Sequence, residues 1–239
     1  AIIAERLFDA PLAVIRLTDN DYAALSKASE CRLAAGVLSF GEQRLVLAYP
    51  ETQALRLEAS DQAFLDNEHG EAARIAMEVL CLMAIAQGAD RFTSVSRGHI
   101  DGCILAHDAN LDLAEKMHEL GARTIIPTTI NAISVDRENW QNQQVPQDFG
   151  AKASRLADAY VKMGARSTFT CAPYLLDEVP AQDEDIGWSE SNAVIYANSV
   201  IGARTEKRPD YLDLFIAMTG RAPLMGVYKD ENRLPDRII

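Results

Sequence analysis

Three stretches of the chain repeat one order of elements: an amphipathic helix, the dipeptide Gly-Ala, a short β-rich run and a polar loop. The helices read EAARIAMEVLCLMAIAQ, LDLAEKMHEL and ASRLADAYVKM, and they continue as GADRFTSVSRGHIDG, GARTIIPTTINAI and GARSTFTCAPYLL. Each helix should end at its glycine, because glycine adopts the left-handed conformation that closes a helix. This alternation indicates an α/β fold, with helices packed against a parallel sheet.

The polar loops that follow the β-rich runs form the candidate site. The runs are predicted to be strands at Phe92–Val95, Thr124–Ile126 and Thr168–Thr170. Parallel strands in one sheet have their carboxyl ends at one edge, where such sheets bind ligands. A single loop of this kind would be read as ordinary surface, but three in phase favour a site. The residues that would meet there are Ser96, His99, Thr128, Thr129, Asn131 and Cys171.

The first part of the chain has a different pattern. PLAVIRL, from Pro11 to Leu17, is typical of a strand, TDNDYAALSKA of a short capped helix, and GVLSFGEQRLVLAYP of a hairpin. Long amphipathic helices begin only after about residue 57. We therefore expect a boundary between residues 1–56 and 57–239, and we expect the chain to be a segment of a longer polypeptide.

Composition excludes several classes of partner. The chain has 239 residues, with 23 Lys and Arg against 35 Asp and Glu, a net charge of −12. An acidic surface repels phosphate backbones, so nucleic acid is not expected as a partner. The best apolar run, Val79–Ala86, is eight residues long, too short to span a membrane. The four cysteines form no close pair, which fits a reducing cytoplasm.

The cysteines and histidines differ in their sequence context. Cys81 lies in an apolar helix and Cys31 follows a helix, so both are expected to be core thiols. Cys171 ends a β-rich run at the candidate edge, where a thiolate could reach a metal or a cluster; a structural thiol remains the alternative. Cys103 is ambiguous. His99 is the histidine to consider for proton transfer, because it alone follows a predicted strand.

The stretch NAVIYANSVIGART places amides and hydroxyls within an apolar, packed segment. Asn192, Asn198, Ser199 and Thr205 need partners there, because buried polar groups cost free energy when unpaired. Arg204 and Arg221 could each clamp a carboxylate through two hydrogen bonds, or could form surface ion pairs. Just upstream, GWSES faintly resembles a nucleophile elbow, so a serine hydrolase that uses Ser189 with His99 stays open.

Seven stretches between about Leu57 and Arg233 carry a resemblance to a known family: NEHGEAARIAMEVL, SRGHIDG, GARTIIPTTINAISVD, FTCAPYL, WSESNAVIYANSVIGART, TGRAPLMGVY and DENRLP. Over this range the chain resembles the large, catalytic part of aconitase X, a divergent branch of the aconitase superfamily. The N-terminal stretch AIIAERLFDAPLAVIRLTDNDYAAL looks like the end of the family's small swivelling domain. The resemblance implies a three-layer aconitase-like domain of parallel strands and flanking helices. Residues 57–239 would be its N-terminal part, preceded by the tail of the swivelling β/α domain.

The resemblance also implies an activity. The fused small-domain tail and HIDGC are similar to the single-chain members, which dehydrate cis-3-hydroxy-L-proline to Δ1-pyrroline-2-carboxylate with an iron–sulfur cluster as Lewis acid. A 2Fe–2S cluster with Cys171 as a ligand is expected, the other cysteine ligands lying beyond Ile239. Alternatives are a mevalonate 5-phosphate dehydratase of the same family, a cluster-free binding domain and a serine hydrolase.

The expected partners are a small hydroxy-acid substrate and the rest of the same chain, meaning the small domain and the remainder of the large one. The catalytic base is not identified by the sequence. The resemblance implies that the segment SESNAVIYANSVIGART lines the site. With the strand-end residues and the two arginines above, we assign Ser96, His99 and Ser191 to catalysis, and Thr128, Thr129, Asn131, Asn198, Arg204 and Arg221 to the substrate.

Overall fold

The computed structural model describes residues 55–234 and the backbones of three strands at 14–17, 36–40 and 43–47. The predicted short helix near the N-terminus and Cys31 lie outside the described residues. The described α-helices are α1 (Ala59–Leu65), α2 (Glu71–Ala86), α3 (Asp108–Glu119), α4 (Gln147–Lys162), α5 (Ser191–Tyr196) and α6 (Leu212–Thr219). None of them is both long and apolar enough to cross a membrane.

The described strands are β1 (Val14–Leu17), β2 (Gly36–Phe40), β3 (Gln43–Leu47), β4 (Phe92–Ser94), β5 (Gly98–Ile100), β6 (Thr128–Ile130), β7 (Gly187–Trp188) and β8 (Arg221–Pro223). Within the described part of the chain they form three small sheets. β1, β3 and β2 form an antiparallel sheet in that order, which confirms the predicted hairpin. β4 and β8 pair antiparallel. β6, β5 and β7 form a parallel sheet in that order, which confirms the α/β class.

The repeated Gly-Ala dipeptide is a helix stop of one geometry. Gly88, Gly121 and Gly164 all have positive φ, at 71°, 86° and 105°. At the end of α2, the Ala89 N–H donates to the carbonyl of Ala84 at 2.9 Å and the Gly88 N–H to that of Ile85 at 3.1 Å. Equivalent bonds close α3 and α4. Each stop is therefore a Schellman motif, in which two otherwise unpaired carbonyls find donors.

The predicted set of three strands is wrong in detail. Phe92–Ser94 belongs to the antiparallel pair with β8, not to the parallel sheet. The strand predicted at Thr124–Ile126 begins instead at Thr128, because the earlier residues bond to the end of α4 and to α6. Along 168–170 the Thr168 hydroxyl bonds both the N–H and the carbonyl of Ile130 and so replaces ladder bonds.

Helix α6 is the centre of the core. All eight of its residues are buried, and six of them are apolar; Asp213 and Thr219 are the exceptions. It packs on one side against α2 and on the other against β5 and β7, while α3 and α4 pack together. The approach to the sheet is close, because a Cβ at Gly187 would stand 2.7 Å from Cγ2 of Ile216.

We predict that Gly187→Ala destabilises the protein, because the new methyl group would force α6 away from β7. Overpacking of this kind costs about 1–3 kcal/mol. The matched control is Gly102→Ala, whose added Cβ would meet neighbours no nearer than 3.5 Å. The thermal midpoint of the full-length protein should fall for the first variant and hold for the second. Equal midpoints would contradict a close helix–sheet contact.

Candidate active site

Polar residues follow each strand of the parallel sheet at its carboxyl end. Asp101 follows β5, Asn131 follows β6, and Ser189 and Glu190 follow β7. Because the three strands are parallel, these residues lie at one edge of the sheet. We call Asp101, Asn131, Glu190 and Lys207 the edge cluster, since their side chains are joined by hydrogen bonds.

Asn131 is the bridge of the edge cluster. Its Nδ2 donates to Oδ1 of Asp101 at 2.7 Å and also to the carboxylate of Glu190. Its side-chain oxygen, Oδ1, accepts a hydrogen bond from the Ala132 N–H, so the nitrogen and the oxygen of the side-chain amide are both bonded. On the other side, the Lys207 ammonium donates to Oδ2 of Asp101 at 3.0 Å. The two carboxyls are thus held together by one amide and balanced by one cation.

The backbone beneath the cluster is fixed by α6. The Asp101 N–H donates to the carboxyl of Asp213, which is fully buried on α6. Burial raises the pKa of Asp213 to about 7, although the N–H groups of Asp101 and Leu214 oppose the rise. A buried acid on the central helix therefore holds the loop that carries Asp101.

The two carboxyls of the cluster titrate differently. A hydrogen bond with Asp101, followed by burial and the Asp101 charge, raises the pKa of Glu190 to about 7. Burial alone would raise the pKa of Asp101, but bonds from Glu190, Lys207 and Asn131 outweigh it and hold that pKa below its usual value. At neutral pH, Asp101 is ionised and Glu190 can both take up and release a proton.

His99 lies inside the sheet and not in a loop after a strand. It is fully buried on β5, and its Nδ1 is 2.7 Å from the Thr129 hydroxyl. Burial lowers the pKa of His99 to about 4, so the ring is neutral at pH 7. Its Nε2 has no partner within the described part of the chain. Trp188, its neighbour on β7, meets the ring edge-on at 6.4 Å between centroids.

The polar groups of NAVIYANSVIGART bond largely to the protein itself. After α5 the helix widens into one π-helical turn, Ala197–Ile201, which turns Asn198 inward. The Asn198 amide donates to the carbonyls of Val194 and Thr205 at 2.9 and 2.8 Å. The Thr205 hydroxyl accepts from the Trp188 N–H at 3.0 Å and donates to its carbonyl at 2.6 Å. These bonds clamp the end of β7, two residues before Glu190.

Both predicted carboxylate clamps are engaged with protein acids. Arg204 donates to Asp230 at 2.6 Å and to Asp183 at 3.2 Å. Arg221 is buried on β8 and donates to Asp61 at 2.6 Å. A substrate carboxylate would have to displace these partners from either arginine. The geometry therefore favours the ion-pair alternative for both.

The remaining predicted residues are spread around the sheet. Ser96 precedes β5 and bonds Glu184, so it lies at the amino edge, opposite Asp101. Thr128 lies within β6 and donates to the Ile126 carbonyl. Ser191 is exposed at the start of α5. Cys171 is exposed and follows Thr170, whose N–H bonds the last carbonyl of β6, so it stands at the carboxyl edge. Its own carbonyl accepts from Asn192 at 2.8 Å.

Sequence reasoning missed Asp101, Glu190 and Lys207 as members of the site. Asp101 stands two residues after the histidine in HID and Glu190 between two serines in SES, so both lie in stretches that the sequence already marks as polar. The prediction has no strand at β5, the separate strand after β4 that positions Asp101, so Asp101 falls in a predicted loop. Lys207 comes from a loop far along the chain and carried no local signal.

Comparisons with known proteins agree with one another. Residues 54–231 match the family model described as "Aconitase X first domain". The chain is similar to the cis-3-hydroxy-L-proline dehydratase of Pseudomonas aeruginosa, with 48% identity over 98% of the chain and 41% of that protein. The enzyme of the same description from Hypocrea jecorina is 41% identical over 97% of the chain and 41% of its own length. The chain thus spans well under half of these relatives.

More distant relatives cover less of the chain. The phosphomevalonate dehydratase large subunit of Methanothermobacter thermautotrophicus is 33% identical over 74% of the chain and 45% of that subunit. Among solved structures, the aconitase X of Thermococcus kodakaraensis, described as a holo-form, superposes with a TM-score of 0.68. It is 31% identical and covers 74% of this chain and 44% of that one. The fold is therefore aconitase-like.

We predict that the buried Arg221–Asp61 pair stabilises the protein. Asp61→Asn should lower stability by about 3 kcal/mol, because it leaves a buried guanidinium without its full counter-charge. Asp90→Asn is the control, since Asp90 pairs with Arg56, whose side chain is 66% exposed. The thermal midpoint of the full-length protein should drop for the first and barely move for the second. If both variants melt at the wild-type temperature, the Arg221–Asp61 ion pair does not stabilise the protein, and the prediction is wrong.

Proposed function

The chain belongs to the aconitase X family, and we propose that its parent protein is a hydro-lyase that converts cis-3-hydroxy-L-proline to Δ1-pyrroline-2-carboxylate. The observation that carries the proposal is the extent of the likeness. Relatives with that activity in their description align over 98% and 97% of the chain, against 74% for a phosphomevalonate dehydratase large subunit. The difference, about a quarter of the chain, has the size of residues 1–56.

We assign residues 1–56 to the C-terminal part and linker of a small swivelling domain, and residues 57–239 to the N-terminal part of the large domain. A small domain fused in front is the arrangement expected of single-chain members of the family. The remainder of the polypeptide is then the main partner of this segment. The three described cysteines are free thiols, which fits the cytoplasmic location that we propose.

Of the three described cysteines, Cys171 is the one whose thiol could bind a cluster at the candidate site. Cys171 is exposed at the carboxyl edge of the sheet. Cys103 is buried, with its thiol donating to the Ile100 carbonyl, and burial raises the pKa of Cys81 to about 12. The described residues contain no group of three or more candidate metal ligands. We therefore propose that Cys171 is one ligand of an iron–sulfur cluster, of 2Fe–2S type, whose other ligands come from the rest of the polypeptide.

When bound, such a cluster supplies a Lewis acid for the departing 3-hydroxyl. The residues of this chain would then orient the substrate and move its C2 proton. Ser191 is exposed at the start of α5 and can contact a polar substrate, whereas Asn131 is buried with its amide fully bonded and acts through Asp101 and Glu190. Lys207, half-exposed and held by Asp101, is the cation of the edge cluster and can face the substrate carboxylate.

The other candidates have less support. A serine hydrolase would need His99 beside Ser189, yet the Ser189 hydroxyl is buried without a hydrogen-bond partner in the described residues, and the His99 Nδ1 bonds Thr129. A cluster-free binding domain would lack the colour of a cluster. Mevalonate 5-phosphate dehydration is the activity of the more distant relatives and remains the second candidate.

The first test is a direct comparison of substrates with the full-length enzyme. We expect turnover of cis-3-hydroxy-L-proline to Δ1-pyrroline-2-carboxylate and no measurable turnover of mevalonate 5-phosphate, each followed by NMR. The reverse preference would overturn the assigned substrate, while the assignment of the protein as a dehydratase would still stand. Absence of both activities from protein that carries iron would overturn the proposed function.

The second test concerns Cys171. In the full-length protein, Cys171→Ser should abolish visible absorbance and reduce iron content, because a hydroxyl is a poor iron ligand compared with a thiolate. Cys81→Ser is the matched control, since Cys81 lies in α2 away from the carboxyl edge; it should keep its iron and lose at most some stability. Equal iron in wild type and Cys171→Ser would refute the assignment.

A further inference from the structure

Glu190 is the member of the edge cluster that is best placed to exchange protons with a bound molecule. It is only partly buried, whereas His99 and Asp213 on the neighbouring elements are fully buried. It stands two residues after the end of β7, at the edge where a parallel sheet binds its ligand. The preceding residue, Ser189, keeps a buried hydroxyl with no partner in the described region.

The groups around Glu190 fix the position of its carboxyl group and still allow it to gain and lose a proton. From β6, the Asn131 amide fixes one carboxylate oxygen. From the end of β5, Asp101 accepts a hydrogen bond when Glu190 is protonated, and Lys207, in the loop before α6, neutralises Asp101. Behind Asp101, Asp213 on α6 fixes the backbone. One acid of the pair is therefore kept ionised while the other is free to gain and lose a proton.

We propose that Glu190 is the general base that removes the C2 proton of the substrate, with Asp101, Asn131 and Lys207 as its positioning residues. This inference rests on the proposed dehydration and deepens it, because the sequence left the base unidentified. His99 is a poorer candidate. Its only unpartnered nitrogen is buried inside the sheet, beside Trp188.

The step balances without a further reactant. The Glu190 carboxylate takes the proton from C2, and the electron pair of that C–H bond forms the C2–C3 double bond. The C3–O bond breaks, its electron pair leaves with the oxygen, and that oxygen is released as water once protonated. The enamine then tautomerises to Δ1-pyrroline-2-carboxylate by gaining a proton at C3 and losing one from nitrogen. Glu190 returns its proton to solvent or to the departing oxygen.

The first variant to test is Glu190→Gln in the full-length enzyme. Glutamine has the shape of protonated Glu190, so it can still accept from Asn131 and donate to Asp101, and the fold should persist. We expect kcat to fall at least about 100-fold, the usual contribution of a general base, while KM, iron content and thermal midpoint stay near the wild-type values. Glu119→Gln, at an exposed carboxyl of α3, is the control and should leave kcat unchanged.

The second measurement is the pH dependence of kcat/KM. A base must be ionised to act, so the wild-type value should rise with pH through about 7, the pKa of Glu190, and level off above it. Asp101→Asn removes the negative charge that raises that pKa and replaces one carboxylate oxygen with an NH2 donor, so the rising limb should move to lower pH. A purely structural role of Asp101 would lower activity at every pH without moving the limb.

The outcomes separate this inference from the proposed function. A wild-type enzyme that dehydrates cis-3-hydroxy-L-proline, together with a Glu190→Gln variant that keeps more than a tenth of its kcat, would overturn the inference alone. An unmoved limb in Asp101→Asn would overturn the assigned pairing of the two acids. A wild-type enzyme that carries iron but does not turn over the substrate would overturn the proposed function, and this inference with it.

Discussion

The contact between α6 and the parallel sheet is the constraint on which the rest of the structure depends. Gly187 lets Ile216 lie against β7, where any side chain would hold the helix away. The same helix carries Asp213, which accepts a hydrogen bond from the backbone of Asp101. The helix therefore packs on the face of β7 and holds the loop after β5, while the backbone pairing of β5 with β7 sets the spacing of the two strands. The acids that follow these two strands can meet only because the strands are held at that spacing.

The edge cluster costs free energy, because it holds two carboxyl groups close together, and such clusters are typical of functional sites. Two carboxyls so close cannot both ionise freely, and the pKa of Glu190 is raised to about 7 as a result. The structure supports the arrangement from two directions, through the Asn131 amide and through the Asn198–Thr205–Trp188 bonds that fix the end of β7. The π-helical turn at Ala197–Ile201 is part of that support, because it brings the Asn198 amide to Thr205.

The two arginines and His99 show where reasoning from residue type falls short. Arg204 and Arg221 have the right chemistry to bind a carboxylate, but the acids that occupy them lie far away in sequence: Asp61 is 160 residues from Arg221. The sequence predicts His99 in a loop, because the pattern shows β4 but not the separate strand β5 that carries this residue. Ion pairing and strand register depend on long-range packing, and neither leaves a local pattern that can be read along the chain.

Sequence alone determined the features that rest on local chemistry. The Gly-Ala repeat predicted three helix stops because only glycine adopts their positive φ without strain, and the alternation of helices and β-rich runs predicted the α/β class. The motifs identified the family, and the strand-end position singled out Cys171. Tertiary structure decided which strands are parallel and which acids meet. Asp101, Asn131, Glu190 and Lys207 come from four separate segments, and only the packing of the strands against α6 brings their side chains within hydrogen-bonding distance.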